Sequence, residues 1–177
     1  NVTSFGDSGA VLAEYRVNDA LAEVAFGREF NEYGEARAGY RYRTGEAKLK
    51  TGSIDPGSFD YDGGQLFARV SVDRLDNYTF PNEGWAALLE YNVAREDVGS
   101  DTSFDQLKIQ ANRFATFGDG HVLGLSALLN VTQNGDASIQ DQYRLGGFLN
   151  LSGYVEDSLV NQQAGMVSAM YYRRFRS

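Results

Sequence analysis

The 177-residue sequence has no cysteine, one histidine, one tryptophan and only two prolines. Without cysteine there is neither a disulfide framework nor a thiolate metal site. Basic residues are also few: 16 Lys and Arg stand against 24 Asp and Glu, a net charge of −8 with a pI near 4.6. That balance argues against a nucleic-acid partner. Long apolar runs are missing too. Mean hydropathy is −0.39, and the longest uncharged stretches, around residues 85–89 and 122–131, fall well short of the ~20 residues of a membrane helix. No signal peptide is recognisable, so Asn1 is expected to begin a mature chain or an excised piece.

What is plentiful is glycine, at 20, with 11 Tyr and 11 Phe. This composition favours many strands joined by tight turns over a helical bundle, and the length suits one domain over residues 1–177. Periodicity agrees. Leu66, Ala68, Val70 and Val72 alternate with Phe67, Arg69, Ser71 and Asp73. Trp85, Ala87, Leu89, Tyr91 and Val93 form another such series, as do Leu107, Ile109 and Ala111, and Leu123, Leu125, Ala127, Leu129 and Val131. A period of two repeated this often predicts antiparallel sheet.

About eight runs are expected, near residues 10–18, 21–31, 35–50, 65–75, 84–95, 103–117, 121–133 and 162–175. Connections at 31–34 and 117–120 are tight, while 51–64, 96–102 and 133–161 are long. Short turns at one end and long loops at the other are what transmembrane β-barrels show. One face carries mid-strand charges (Arg37, Arg41, Arg43, Arg69, Glu90, Lys108) that suit a wet lumen. The other is apolar, with Tyr40, Tyr42, Trp85, Tyr91 and Tyr171 available as interface girdles. A soluble antiparallel sheet, with its charged face toward solvent, is the alternative that alternation alone leaves open.

The longest loop contains YRLGGFLNLSGY, residues 143–154, an apolar and glycine-rich stretch with a single charge. It resembles the signature loop of the bacterial surface antigen and outer-membrane assembly superfamily: Leu-Gly-Gly, a few residues, then Arg-Gly-aromatic. Three further stretches resemble the same proteins in the same order. RLDNYTFPNEG (74–84) looks like their Asp-Asn…Phe-Pro-x-x-Gly turn. LAEVAFGREFNEYGEARAGYRYRTG (21–45) resembles a hairpin of bacterial patatin-like, type Vd autotransporter proteins, whose second strand opens Gly-Glu-x-Arg. AMYYRRF (169–175) resembles their Tyr-Tyr-Arg strand, and Leu151–Tyr154 matches the Leu-Ser-Gly-Tyr loop tip of that subfamily.

The resemblance implies an antiparallel transmembrane β-barrel, of which these strands are a portion of about sixteen. It implies a role in secreting or displaying an attached patatin-like passenger. The loop, about residues 134–161, would fold into the lumen and dock through Leu145, Gly146, Gly147, Leu151, Ser152, Gly153 and Tyr154. Ser152 stands where the wider superfamily has an arginine, so that residue's lumenal salt bridge cannot form here. Lumen-facing charges are expected at Arg37, Arg41, Arg69, Asp73, Glu90 and Lys108, mostly paired across strands and stiffening the wall. Outer-membrane lipid, the passenger and a second copy as a homodimer are the expected partners.

Catalytic motifs fail on inspection. Gly6-Asp7-Ser8-Gly9 imitates a serine-protease nucleophile region, but His121, its one candidate base, follows the tight 118–120 turn. Asp60-Tyr61-Asp62-Gly63-Gly64 lacks the later glutamate of a calcium loop and reads as an acidic loop tip. No Gly-x-Ser-x-Gly elbow occurs, so patatin chemistry is not expected, nor is any cofactor or metal. The alternative readings are a small independent outer-membrane barrel acting as enzyme or adhesin, and a soluble ligand-binding barrel.

Overall fold

A computed structural model describes residues 2–5, 11–52, 59–138, 140–147 and 159–174. Its long strands are β2 (Val11–Phe30), β3 (Gly34–Gly52), β4 (Phe59–Asp73), β5 (Gly84–Ala94), β6 (Phe104–Phe117), β7 (His121–Gln133) and β10 (Gln163–Arg173). A short β1 (Val2–Phe5) lies against the start of β2. Two three-residue strands, β8 (Tyr143–Leu145) and β9 (Leu159–Asn161), pair with each other inside the long loop. The main sheet is an antiparallel meander in the order β1-β2-β3-β4-β5-β6-β7-β10. Among the described residues it does not close into a barrel.

Two boundaries differ from the periodicity. The runs expected at 10–18 and 21–31 are one strand, β2, because Asn18 and Asp19 continue the ladder against Glu46 and Gly45 of the equally long β3. The acidic stretch Asp60–Gly64 is not a loop tip but the start of β4. Its glycines have a packing role. A Cβ on Gly64 would sit 1.9 Å from the Val98 carbonyl oxygen, so only glycine lets the single 3₁₀ turn Glu96–Val98 lie against the strand. The strap is fastened there by Gly64 N–H to Gly99 O at 3.0 Å and by the Tyr40 hydroxyl to Val98 O at 2.7 Å.

Connections sort by end. Residues 31–33, 74–83 and 118–120 join strands at one end, and 53–58, 95–103 and 134–158 belong to the other. At the first end Asp76 organises the Phe-Pro turn, accepting from Asn82 N at 2.7 Å and Glu83 N at 3.1 Å. Burial alone would raise its pKa, but these hydrogen bonds hold it below the ordinary carboxylate range. The turn then reaches β6 and β10: Thr116 Oγ1 donates to Asn82 O at 3.0 Å, and the Tyr172 hydroxyl donates to Pro81 O. Phe80 meets Tyr172 edge-on, with centroids 6.4 Å apart.

Burial is inverted relative to a water-soluble sheet. Gln65, Glu90, Asn92, Gln106, Asn130 and Thr132 are buried on one face, along with Phe67, Phe114 and Val122. The opposite face exposes Leu66, Val70, Leu89, Ile109, Leu123, Leu125, Leu129 and Val167. A continuous apolar face of this extent is not stable in water and calls for a covering medium. Aromatic rings border it. Phe117, His121 and Tyr171 stack in series at the short-turn end, with centroids 5.7 and 5.8 Å apart, and Trp85 lies at that end of β5.

This facing predicts the response to a bilayer. Spin labels at 125 and 126 on the reconstituted chain should differ sharply in accessibility to a lipid-soluble relaxant, with 125 the accessible one. Leu129→Arg, in the mid-sheet row that also holds Leu89 and Ile109, should destabilise by about 2–4 kcal/mol. Equal accessibility at the two positions would refute a lipid-facing sheet.

Candidate functional site

Across the polar face, Arg37, Arg69, Glu90, Lys108, Asn130 and Ala164 stand opposite one another in a row over six strands. Cross-strand neighbours sit about 5 Å apart, so opposite charges in such a row meet without distorting the ladder. Glu90, only 7% exposed, is where they converge. Arg69 forms an ion pair with its Oε2 atom, donating through both Nε and its terminal nitrogen. Arg41 reaches its Oε1 at 3.7 Å and Glu23 Oε2 at 2.9 Å. The Asn92 amide donates to Glu90 Oε1 at 3.1 Å.

Phe67, 4% exposed, holds the two arginines in place. The Arg41 guanidinium lies 4.8 Å and that of Arg69 5.7 Å from its ring centroid. Cations over an aromatic face are attracted by the ring's quadrupole, and the planar guanidinium stacks there while its edge still donates.

Of the expected lumenal charges, then, Arg41, Arg69 and Glu90 come together. Arg37 instead pairs with Glu35 at 2.7 Å. Lys108 occupies the same row but makes no ion pair among the described residues. Asp73 stands apart, at the short-turn end, where its carboxylate accepts from Leu75 N at 2.9 Å.

The long loop crosses this face. Asp141 anchors it by accepting from Gln65 Nε2 at 3.2 Å through Oδ1, with Arg43 3.8 Å away, while its backbone carbonyl accepts from Gln106 Nε2 at 2.8 Å. Ser138 Oγ donates to its second carboxylate oxygen at 2.8 Å. At the base, Gln162 clasps Ala137 in both directions, at 3.1 and 2.9 Å. Leu145 and Gly146 are buried, and Gly146 and Gly147 adopt φ of +127° and +97°, a region that favours glycine. Leu151, Ser152, Gly153 and Tyr154 lie outside the described residues.

Sequence reasoning missed Asp141, Gln65, Gln106 and the stacking role of Phe67. Only Phe67 left a local trace, as an aromatic placed among charges on the polar face of its strand.

The Omp85 superfamily domain matches residues 2–170. The chain belongs to the Omp85 superfamily. That membership associates it with the bacterial outer membrane and with β-barrels that act in assembly or translocation. No curated protein matches the chain.

The Glu90 cluster predicts its own disruption. Glu90→Gln should destabilise the reconstituted chain by about 2–4 kcal/mol in denaturant unfolding, because it strands two guanidiniums that retain partial water access. Adding Arg69→Gln should cost less than the sum of the single changes.

Tyr143 gives a pH dependence. Burial first, and the nearby Glu90 charge second, push its pKa from 10 up to about 12. Its hydroxyl has no hydrogen-bond partner among the described residues. A raised pKa keeps the neutral form, so the contribution is complete below about pH 10 and is lost as pH rises through about 12. Thermal midpoints across that window should fall more for the wild type than for Tyr143→Phe. Parallel curves would show that folding does not hold Tyr143 in its neutral form.

Proposed function

We propose that this chain is part of an outer-membrane translocator and anchor of the patatin-like, type Vd kind, and that it exports or displays an attached passenger domain. The observation that supports this most is the polar face: charges neutralised in place, stiffened by Phe67 and partly covered by the Asp141-anchored loop. A wall whose charges are mostly paired, with Lys108 the exception in its central row, presents a hydrated surface with little fixed attraction for a passing polypeptide. The hairpin 21–45, the Phe-Pro turn 74–84 and the Leu-Ser-Gly-Tyr tip support the type Vd assignment through resemblance.

The chain itself carries out no turnover in this reading. His121 is bound to the Tyr171 hydroxyl through Nδ1 and stacked between Phe117 and Tyr171 on the apolar face, at the short-turn end. That surroundings suits a membrane-border residue more than a general base beside a hydroxyl nucleophile.

The test is export. With a reporter fused in place of the passenger on the barrel protein that carries this chain, and the product sent to the periplasm of an outer-membrane-bearing bacterium, protease added outside intact cells should digest the reporter. The purified product should show no esterase activity above a His121→Ala control. A reporter found only in the periplasm would overturn the translocator reading, and His121-dependent turnover would favour the enzyme alternative.

A further inference from the structure

We propose that the apolar face carries a binding site for the phosphate of an anionic phospholipid at its short-turn margin, formed by Arg113 beside Trp85, with Arg28 as a second contact of the same kind. The inference rests on the reading of this face as lipid-facing and adds which lipid it selects and where.

Arg113 stands directly opposite Trp85 on β5 and Leu125 on β7, and all three are exposed. It lies four residues before the end of β6, near the short turns. It makes no ion pair or hydrogen bond among the described residues. Arg28 repeats the arrangement on β2, on the same face as the exposed rings of Phe26 and Phe30 and likewise without an ion pair among the described residues.

The distribution of charge is what gives the pattern a meaning. The chain is acidic overall, at −8, yet among the described residues no Asp or Glu occupies an outward strand position in the short-turn half of this face. The outward acids of β4 and β6, Asp60, Asp62 and Asp105, are at the long-loop end, and Asp105 is already paired with Arg95 at 2.7 Å. An unpaired guanidinium is costly in hydrocarbon, and its long stem lets it reach the membrane border. The anion found at that border is phosphate, which the guanidinium fork binds through two parallel hydrogen bonds. An adjacent indole is at home at the same depth. The acids of this end, Glu32, Asp76, Glu83 and Asp119, stand in the turns and not on the outward strand face, which lessens the repulsion an anionic headgroup meets beside Arg113.

Trp85 is the sole tryptophan, so it reports on the lipid beside Arg113. The full chain is reconstituted in phosphatidylcholine vesicles containing phosphatidylglycerol, with bromine on the acyl chains of one lipid or the other, and quenching of Trp85 is compared at equal mole fraction. Brominated phosphatidylglycerol should be enriched about fivefold around Trp85, the equivalent of about 1 kcal/mol for one basic side chain at an anionic surface. Arg113→Gln should bring the ratio to about one while leaving quenching by phosphatidylcholine unchanged. Arg28→Gln, remote from Trp85, should leave the ratio intact. Equal quenching by the two lipids in the wild type, or a preference that survives Arg113→Gln, would overturn the site while leaving the lipid-facing reading in place. Failure of both lipids to quench Trp85 would overturn that reading and the site with it.

Discussion

A carboxylate buried in mid-sheet is tolerable only if it is neutralised at close range, and Glu90 sets that demand for the whole polar face. Its partners come from two other strands and its own: Arg41 from β3, Arg69 from β4 and Asn92 from β5. Arg41 and Arg69 can reach it only in the observed register, since a slip of one residue would turn either guanidinium to the opposite face. The ionic cluster therefore acts as a registration mark for β3, β4 and β5, and Phe67 keeps both guanidiniums from swinging into solvent. Desolvation limits the net stability such a cluster yields, so its main product is specificity of pairing.

The loop over this wall is held by the opposite polarity from that expected for the wider superfamily. There the resemblance implies an arginine at the loop tip, and here position 152 is serine. In the described part of the loop, the anchoring charge is an acid, Asp141, set against Arg43 and the amides of Gln65 and Gln106. The exchange is consistent with the state of the wall. With Glu90 already satisfied by strand residues, an incoming arginine would find no free carboxylate there, whereas the amides of Gln65 and Gln106 remain able to donate.

Much of this architecture was legible in the residues. The alternation around Leu125 and Trp85 anticipated the outward face, and the charged positions Arg41, Arg69 and Glu90 anticipated the polar one. The two missed boundaries share a cause: polar or glycine-rich stretches read as turns when isolated, yet they remain strand when a neighbour of matching length supplies hydrogen bonds. Asn18 and Asp19 are held by β3, as are Gly63 and Gly64, and Gly64 is bonded to the strap as well. Asp141 could not be found from its neighbourhood at all. Its wall partners Gln65 and Gln106 lie 76 and 35 residues away, and no local pattern encodes a contact at that separation.

The Phe-Pro turn between β4 and β5 bears on the order in which the sheet is built. Its Pro81 carbonyl is bonded by Tyr172, a residue 91 positions later in the chain. Closing so long a span is entropically slow, and it cannot precede the docking of β10 onto β7. The local hairpins β2–β3 and β6–β7, joined by three-residue turns, need no such wait. Tyr172 thus works as a late clasp: it engages only after β10 has arrived on β7, and so separates a sheet that has gained this strand from one that has not.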